Sequence, residues 1–399
     1  MNRETKKIER IFAIPYYLIG NKYFRKLPIK LILRIFWDFY NIKITKVGKQ
    51  YVGISFVPPV PSIAFDRAIM SFLDNKDSLY NARISLTNKC PNNCEYCSNK
   101  FREGREMSLE EVKKAIGVLQ EKKLSVIGFT GGEPLLRKDL VPIIESVGDK
   151  SASYIFTSGV GLDLKKAIEL KNAGLFGIAI SLDSNISQMN DSLRGKDSFN
   201  TAINAINISK KAGLYTIVQT VVTKKTFGNL INFLKFLKKL NVDEVMLLEI
   251  IPCGKMLGKK DEMLDKNEKE KLKKLHLIAN KRKDLAKVNS YPYAESDKYL
   301  GCAAGYNILY IDASGEVYPC DMTPLSFGNI IKEDFPIIWE RLKKVFPSPS
   351  TECLFLENYE KIYKRFNGKL PFSYEVSKEI CKNHCPKRKA RYYRLLEGK

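Results

Sequence analysis

The sequence has no long hydrophobic run and no pattern typical of an export signal, and it contains fewer acidic than basic residues. No uncharged apolar stretch of about 18 residues occurs, so we expect no membrane-spanning helix. The Lys- and Arg-rich start is followed by a short apolar run that Pro15 interrupts, which argues against a secretory signal. We therefore expect a cytoplasmic protein whose nine cysteines are reduced thiols, available for metals instead of disulfides.

The deficit of acidic residues leaves the chain strongly basic, with 67 Lys and Arg against 44 Asp and Glu and a net charge of +23. This surplus favours an anionic partner: nucleic acid, a membrane surface, or an acidic substrate or peptide. A Lys-rich bias of the organism explains the same charge, and composition leaves both explanations open. The 399 residues, 44% of them hydrophobic, give room for one large catalytic domain and one or two smaller units.

Residues 1–80 are predicted to form a basic, aromatic N-terminal extension that contains an amphipathic helix. Lys30, Arg34 and Asp38 fall on one strip of this helix, and five apolar side chains share another face. The apolar face consists of Ile29, Ile32, Leu33, Phe36 and Tyr40. The pattern favours a helix docked on the catalytic domain. The alternative is an in-plane membrane helix and peripheral membrane association, because cationic residues flank Trp37.

From residue 81 to 255 a strand, a turn and a helix recur six times. Short βα connections predict an α/β fold with a parallel sheet, curled into a partial (βα)6 TIM-like barrel. The predicted strands are 83–87, 125–130, 154–157, 177–182, 215–223 and 244–250. Functional groups of such sheets lie at the carboxyl ends of the strands. Residues 256–299 are predicted to form a helical linker, and residues 300–399 a small C-terminal cysteine-containing domain with a basic tail.

Three cysteines follow the first predicted strand, and Cys90, Cys94 and Cys97 lie within eight residues. Three thiolates this close can converge on one object if the chain loops around it, and soft thiolates favour zinc or an iron–sulfur cluster. Zinc usually takes four ligands, often as two separated pairs, whereas this set has three and no nearby histidine. Three ligands on a four-iron cluster leave one iron open. The spacing therefore favours a [4Fe–4S] cluster, with a zinc site completed from afar or structural thiols as alternatives.

The Cys-x3-Cys-x-aromatic-Cys spacing, with Tyr96 in the aromatic place, resembles the signature of the radical S-adenosylmethionine (SAM) superfamily. At the end of the second strand, four residues resemble the family's GGEP motif, namely Gly131, Gly132, Glu133 and Pro134. The resemblance implies that this motif binds the methionine end of SAM, since glycine allows close backbone approach. Further SAM contacts that the resemblance implies are Ser158, Ser181, Asp183 and Arg194. Ser158 departs from the Asn that relatives commonly carry there.

The resemblance also implies the chemistry and the partners of the site. Cys90, Cys94 and Cys97 would hold the catalytic cluster, which cleaves SAM reductively to a 5′-deoxyadenosyl radical that takes a hydrogen atom from the substrate. A small ferredoxin- or flavodoxin-like protein would supply the electron.

Five more cysteines lie beyond residue 300, and two of them, Cys302 and Cys320, flank Gly315 on a predicted β-hairpin. This Cys-x12-Gly-x4-Cys pattern resembles the SPASM or twitch extension of radical SAM enzymes. The resemblance implies one auxiliary [4Fe–4S] cluster, because the full pattern has seven or more cysteines. Its implied ligands are Cys302, Cys320, Cys381 and Cys385, with Cys353 as an alternate. A zinc knuckle that uses His384 is the competing interpretation of this second site.

The predicted function is that of a radical SAM oxidoreductase or modifying enzyme, with a peptide or protein substrate slightly favoured. A lipid or isoprenoid suits the N-terminal extension, and an anionic cofactor precursor suits the positive charge. An RNA-modifying enzyme is a weaker alternative, since no RNA-binding module is recognisable, and we expect no nucleic-acid partner. A non-enzymatic iron–sulfur electron carrier leaves the Gly-Gly-Glu-Pro segment unexplained.

Overall fold

The computed structural model describes residues 2–6, 8–55, 57–74, 78–382, 384 and 389–398. The strands are β1 (Arg3–Glu4), β2 (Thr45–Val47), β3 (Gln50–Val52), β4 (Asn81–Ser85), β5 (Val126–Thr130), β6 (Ala152–Thr157), β7 (Gly177–Ser181), β8 (Tyr215–Val222), β9 (Glu244–Glu249), β10 (Val288–Ser290), β11 (Ile308–Ile311) and β12 (Val317–Tyr318).

The helices alternate with the strands through the middle of the chain and cluster at its two ends. They are α1 (Ile14–Gly20), α2 (Ile29–Asn41), α3 (Ile63–Leu73), α4 (Leu109–Glu121), α5 (Leu140–Glu145), α6 (Leu164–Asn172), α7 (Ser187–Arg194), α8 (Ser198–Lys211), α9 (Lys224–Phe227), α10 (Leu230–Lys239), α11 (Lys266–Lys281), α12 (Tyr291–Ala294), α13 (Phe335–Val345), α14 (Leu354–Glu357), α15 (Tyr359–Arg365), α16 (Tyr374–Cys381) and α17 (Arg391–Leu396). A π-helical turn, Glu9–Ala13, leads into α1. None of the described helices is long and apolar enough to span a bilayer.

A nine-stranded sheet carries the fold, in the spatial order β10-β9-β8-β7-β6-β5-β4-β11-β12. Every neighbouring pair is parallel except β11 with β12. The strands from β4 to β10 follow one another in space as in sequence, with helices packed between them, so the predicted α/β fold with a parallel sheet is confirmed. Among the described residues no pairing joins the two edge strands, and the barrel is therefore open.

The sequence of each βα unit explains why it forms. Strands such as β7, Gly-Ile-Ala-Ile-Ser, bury four of their five residues, as expected where both faces of a parallel sheet are covered. Helix α4 starts with a capping box, in which Ser108 and Glu111 satisfy each other's backbone N–H groups. Its apolar residues Val112, Ile116 and Leu119 are fully buried against the sheet.

The chain beyond the six predicted strands extends this sheet at both edges. The predicted hairpin β11–β12 is present, and β11 pairs in parallel with β4, the first barrel strand. The predicted linker contains helix α11 but also β10, which pairs in parallel with β9. Strand β10 was not predicted, because three residues are too few to show an alternating pattern.

The N-terminal extension fills the amino end of the barrel, opposite the end where functional groups are expected. The Asn2 amide donates to the Leu214 carbonyl just before β8. Ser55 donates through its backbone N–H to the buried Glu244 carboxylate, which begins β9, and the Tyr215 hydroxyl donates to the same carboxylate at 2.7 Å. Lys287 lies 3.7 Å from Glu244. The buried charge is thus paired and hydrogen-bonded, as such groups must be.

Helix α2 docks on the protein as predicted, but only Ile32 and Phe36 of the predicted apolar face pack against the core. Ile29, Leu33 and Tyr40 of the predicted apolar face are each more than half exposed, whereas Leu31 and Asp38 are buried. The reason is that Asp38 has partners inside: Arg34 lies 2.9 Å away, and the Tyr392 hydroxyl donates to it. The strip that contains Lys30, Arg34 and Asp38 therefore includes a buried ion pair.

Candidate functional site

A cavity of about 630 Å³ opens at the carboxyl ends of the barrel strands. All three cysteines that follow β4 line it, and so do five of the predicted SAM contacts. The lining contacts are Gly131, Gly132, Ser158, Ser181 and Arg194. Glu133, Pro134 and Asp183 are buried behind the cavity wall. The fold thus brings the predicted site residues to one end of one sheet.

The thiols of Cys90, Cys94 and Cys97 influence one another electrostatically. Cys90 is exposed as a residue, but desolvation of its thiol, with the charges of Glu133 and the other two cysteines, raises its pKa to about 11. Burial and the neighbouring Cys97 also raise the pKa of Cys94, against the opposing effect of Arg194. In the part of the chain that the structure describes, no three His, Cys, Asp or Glu side chains converge as ligands of a single metal ion. A donor set of three mutually interacting soft thiols at a cavity mouth fits an iron–sulfur cluster.

The end of helix α7 holds the cysteine loop in place. Asn93 and Glu95 donate their backbone N–H groups to the carbonyls of Arg194 and Leu193, at 3.3 and 2.9 Å. The Cys94 sulfur lies 3.8 Å from the same Arg194 carbonyl. Backbone contacts therefore fix the cysteine loop to the end of α7, where Arg194, one of the predicted SAM contacts, is located.

The Tyr96, Asp183 and Arg194 side chains form one buried cluster. The Tyr96 hydroxyl donates to the Asp183 carboxylate, and Arg194 lies 3.1 Å from the same oxygen. The second Asp183 oxygen accepts the Val221 backbone N–H at 2.8 Å. Burial is the main cause that raises the Tyr96 pKa well above its usual value. The cluster ties the aromatic residue of the cysteine motif to the ends of β7 and β8.

Glu133 ties the ends of β5 and β6 together. It is fully buried, and its carboxylate accepts hydrogen bonds from the Thr157 hydroxyl at 2.6 Å and the Ser158 backbone N–H at 2.8 Å. It also accepts from the Ser158 hydroxyl and from the Leu135 backbone. Four hydrogen-bond donors to one buried carboxylate fix the geometry of the cavity wall that includes Gly131 and Gly132.

Both glycines of the motif are required by close backbone packing. A Cβ atom at Gly131 would lie 2.4 Å from the Thr87 carbonyl oxygen, and one at Gly132 would lie 2.2 Å from the Lys89 carbonyl oxygen. Gly131 also has a φ of +127°, which favours glycine. The motif therefore packs directly against the segment that leads into Cys90.

A third close approach was not predicted from the sequence. Gly254, after β9, has a φ of +53°, and a Cβ there would lie 2.2 Å from the Cys97 carbonyl oxygen. The neighbouring Cys253 is buried, with its sulfur 3.5 Å from the Met322 sulfur. The sequence signal that could have indicated this close approach is the Cys-Gly pair directly after β9.

The floor of the cavity contains an ion pair that sequence reasoning missed. Arg83 on β4 lies 2.6 Å from Asp321 and donates to the Tyr291 hydroxyl at 2.5 Å. Its guanidinium also stacks over the Phe156 ring, 4.9 Å from the centroid. Although burial acts in the opposite direction, Arg83 keeps the pKa of Asp321 below its usual value. Asp321 follows Cys320, so the pair joins the cavity to the C-terminal cysteines.

The C-terminal cysteines that the structure describes differ in their charged neighbours. Burial is the main cause of the raised pKa of Cys320 and of Cys353, and the charge of Cys302 contributes to both. For Cys381, whose pKa burial raises to about 12, the charged neighbours are Lys361 and Glu357. The charge of Cys302 thus acts on Cys353, the alternate ligand of the prediction, and is not among the charged neighbours of Cys381. The prediction for Cys385 falls outside the described residues.

The alternative zinc knuckle involved His384, whose surroundings the structure describes. Its Nδ1 atom lies 3.0 Å from a Glu357 carboxylate oxygen, and its ring packs against Phe346. The described contacts of His384 are therefore with Glu357, Phe346 and the Cys381 carbonyl.

Comparison with family models gives two matches. Residues 84–237 match the model described as the radical SAM superfamily, and residues 302–361 match the SPASM model, described as an iron–sulfur cluster-binding domain. The first range covers the cysteine motif through most of helix α10. The second begins at Cys302 and includes Cys320 and Cys353.

Two curated relatives show the same relationship in sequence. A protein of Sulfurisphaera tokodaii called "Probable GTP 3′,8-cyclase" is 31% identical over 282 residues, which span 65% of this chain and 88% of that protein. The "AdoMet-dependent heme synthase" of Oleidesulfovibrio alaskensis is 24% identical over 283 residues, 64% of this chain and 73% of that protein.

Solved structures share the fold at lower identity. SuiB of Streptococcus suis, bound to its precursor peptide SuiA, aligns with a TM-score of 0.58 and 14% identity over 79% of each chain. The protein anSMEcpe, with bound AdoMet and Cp18Cys peptide, aligns with a TM-score of 0.56 and 17% identity over 80% of this chain and all of that one.

Radical SAM proteins bind a [4Fe–4S] cluster and SAM, and SPASM domains bind auxiliary iron–sulfur clusters. The donor sets described above fit both groups. Together with the extent of the match to the Sulfurisphaera tokodaii protein, they establish that this chain is an enzyme of the radical SAM superfamily with a C-terminal SPASM domain.

Proposed function

We propose that this enzyme cleaves SAM reductively at a [4Fe–4S] cluster held by Cys90, Cys94 and Cys97 and takes a hydrogen atom from a peptide or protein substrate. The observation that carries the proposal is that these three thiols line the same cavity as the glycine pair Gly131–Gly132. When bound, the cluster and SAM supply one-electron bond cleavage and a hydrogen-abstracting radical. A small ferredoxin- or flavodoxin-like protein provides the electron.

The protein's own residues position the reactants and keep water away. Glu133 fixes the wall next to Ser158, so that backbone groups at the ends of β5 and β6 keep one arrangement. Ser181 and Arg194 reach the cavity and are the side chains that we propose for SAM contact. Phe156 and Leu248 provide apolar lining, which excludes water from the reacting atoms.

The auxiliary cluster is proposed to use Cys302, Cys320 and Cys353. This assignment follows from the shared electrostatic neighbourhood of the three thiols and replaces Cys381 in the predicted set. Cys385 is retained as the proposed fourth ligand. The Arg83–Asp321 pair, adjacent to Cys320, would lie between this cluster and the cavity.

The charges of the cavity support a peptide or protein substrate. The deep cations are already neutralised: Arg83 pairs with Asp321, and Arg194 with Asp183. Arg102 donates to backbone carbonyls, and its guanidinium lies over the rings of Tyr310 and Tyr318. The net charge of +23 is therefore not concentrated on the cavity floor, as a polyanionic substrate would require. The peptides bound by SuiB and anSMEcpe support the same choice.

An anionic cofactor precursor is the second candidate. The observation in its favour is that the curated relatives are called a GTP cyclase and a heme synthase. Lys100 and Lys255 line the cavity as well, and either could meet a substrate anion there. The two candidates differ in where the substrate's negative charge would find a partner.

Anaerobic reconstitution with iron and sulfide tests the reaction. We expect the wild-type protein to bind iron and to form 5′-deoxyadenosine from SAM with dithionite as reductant. Replacing all three cysteines, Cys90, Cys94 and Cys97, with Ala should reduce 5′-deoxyadenosine to background while some iron remains. The matched control is Cys253→Ala, a thiol in the same cavity, which should retain activity. Undiminished SAM cleavage in the triple variant would refute the assignment.

The substrate class is tested by deuterium transfer. Extract from cells of the source organism, grown in deuterated medium, is separated into a peptide and protein fraction and a small-molecule fraction. We expect deuterium to appear in 5′-deoxyadenosine with the first fraction. Deuterium from the small-molecule fraction alone would overturn the peptide assignment in favour of a cofactor precursor.

A further inference from the structure

The first two helices, with the turn that leads into α1, present an apolar surface to solvent. We name it the outer hairpin face, and it consists of Phe12, Tyr16, Ile19, Ile29, Leu33 and Trp37. Phe12 and Tyr16 are 67% and 75% exposed, and Ile29 and Leu33 are 66% and 61% exposed. Large apolar side chains left exposed in this number on neighbouring helices point to an interaction site.

Both helices turn this face away from the same core. Ile14 and Leu18 of α1 and Leu31 of α2 are fully buried in one hydrophobic cluster. Arg10 donates to the Ile42 carbonyl at 3.2 Å, so the chain returns after α2 to the place where the first helix begins. Because the two helices bury their inner sides in one cluster, their outward residues lie on one side of the molecule. Each helix is therefore apolar on both its inner and its outer side.

The charges around this face have a single sign. From Arg10 to Trp37 the sequence contains no acidic residue. The exposed basic side chains of the turn between the helices and of the start of α2 are Lys22, Arg25, Lys26 and Lys30. Within the described residues, none of these four has a carboxylate within ion-pair distance. The apolar face is thus bordered by cations whose charge no neighbouring carboxylate in the described part of the chain neutralises.

We propose that the outer hairpin face docks on a lipid bilayer that contains anionic lipids. Aromatic and aliphatic side chains enter the boundary between headgroups and acyl chains, and bordering lysines bind lipid phosphates. Tyr16 and Trp37 suit that depth, since each has an apolar body and a polar tip. A second copy of this chain is a poorer occupant, because a two-fold contact would set two like-charged borders against each other.

Vesicle flotation with the full-length reconstituted enzyme tests this proposal. We expect binding to phosphatidylglycerol-containing vesicles, and much weaker binding to pure phosphatidylcholine vesicles. The variant Phe12→Ser/Tyr16→Ser/Leu33→Ser should lose binding, and its exposed positions make normal folding, checked by circular dichroism, the expected result. The matched control Ile168→Ser/Ile278→Ser/Ile337→Ser removes three exposed apolar side chains elsewhere and should bind like the wild type.

The charge contribution is measured with Lys22→Gln, Lys26→Gln and Lys30→Gln, each expected to weaken binding about fivefold. The proposal is overturned if the serine variant binds vesicles like the wild type, or if the lysine variants bind unchanged. It is also overturned if the wild type does not bind, or if light scattering shows a dimer that the serine variant dissociates. SAM cleavage should be equal in all variants, so a failure here is distinguishable from a failure of the proposed reaction.

Discussion

The two groups of cysteines in this enzyme are assembled in different ways. Cys90, Cys94 and Cys97 share one loop, and its neighbours hold it through backbone contacts such as that between Glu95 and Leu193. The C-terminal cysteines lie on separate segments of the chain. Backbone hydrogen bonds between Cys302 and Ser350 join the first of these segments to the one that contains Cys353. The first group therefore depends on local spacing, and the second depends on the tertiary fold.

This difference explains why sequence spacing predicts the first group as one set, whereas for the second group Cys353 stays an alternate to the predicted ligands. A three-residue or two-residue gap limits where the next thiol can lie, whereas a gap of more than thirty residues does not. Cys353 and Cys381 look equally suitable in sequence, and only the packing of the intervening helices separates them. The difference between the two cysteine groups can be tested by substitutions at and around each group.

The largest effect is expected from the C-terminal ligands. In the variant that lacks the first three cysteines, the remaining iron reports on the C-terminal group alone. Adding Cys353→Ala should remove most of that iron, because this thiol lies beside Cys302. Adding Cys381→Ala instead should leave it in place. Iron content and the visible absorption of the reconstituted proteins give the measurement, and equal loss in both variants would contradict the proposed ligand set.

A smaller effect is expected at the wall beside the first group. Glu133→Gln keeps the shape of a fully buried side chain but removes its charge and places an amide donor among four donors. Since a hydrogen bond to a charged group contributes about 1.5–3 kcal/mol, we expect the free energy of unfolding to fall by about 2 kcal/mol. Glu110→Gln, on the exposed side of α4, is the matched control. Urea denaturation of both variants measures the free energy of unfolding. An unchanged value for Glu133→Gln would contradict the structural role of this carboxylate.

The smallest effect is expected from the surface contact of the cysteine loop. Lys225 lies 3.1 Å from Glu95, and both side chains are about half exposed. Exposed ion pairs contribute about 0.2–1 kcal/mol, so Lys225→Ala should change the free energy of unfolding by less than about 1 kcal/mol and leave SAM cleavage unaltered. A large loss of activity would show that the loop relies on this surface pair instead of its buried backbone contacts.

The sequence allowed much of the fold to be predicted, because the strands from β4 to β9 are mostly buried and helices such as α4 and α6 begin at clear N-caps. Short elements such as β10 were not predicted. Contacts between residues far apart in the chain were not predicted either. Nothing local indicates that Arg83 meets Asp321, or that Asp38 is drawn inward by Tyr392. Patterns of polarity indicate which residues are inside only when no distant partner compensates a buried charge.

The parallel pairing of β11 with β4 has a consequence for how this protein can be divided. Excising the C-terminal region would strip β4 of one hydrogen-bonded neighbour and expose a barrel edge that is prone to aggregate. The two cysteine regions are consequently parts of one mechanical unit, and the separation between them is set by the stiffness of a shared sheet and not by a hinge. Electron exchange between clusters held in this way would proceed over a distance that stays constant through turnover.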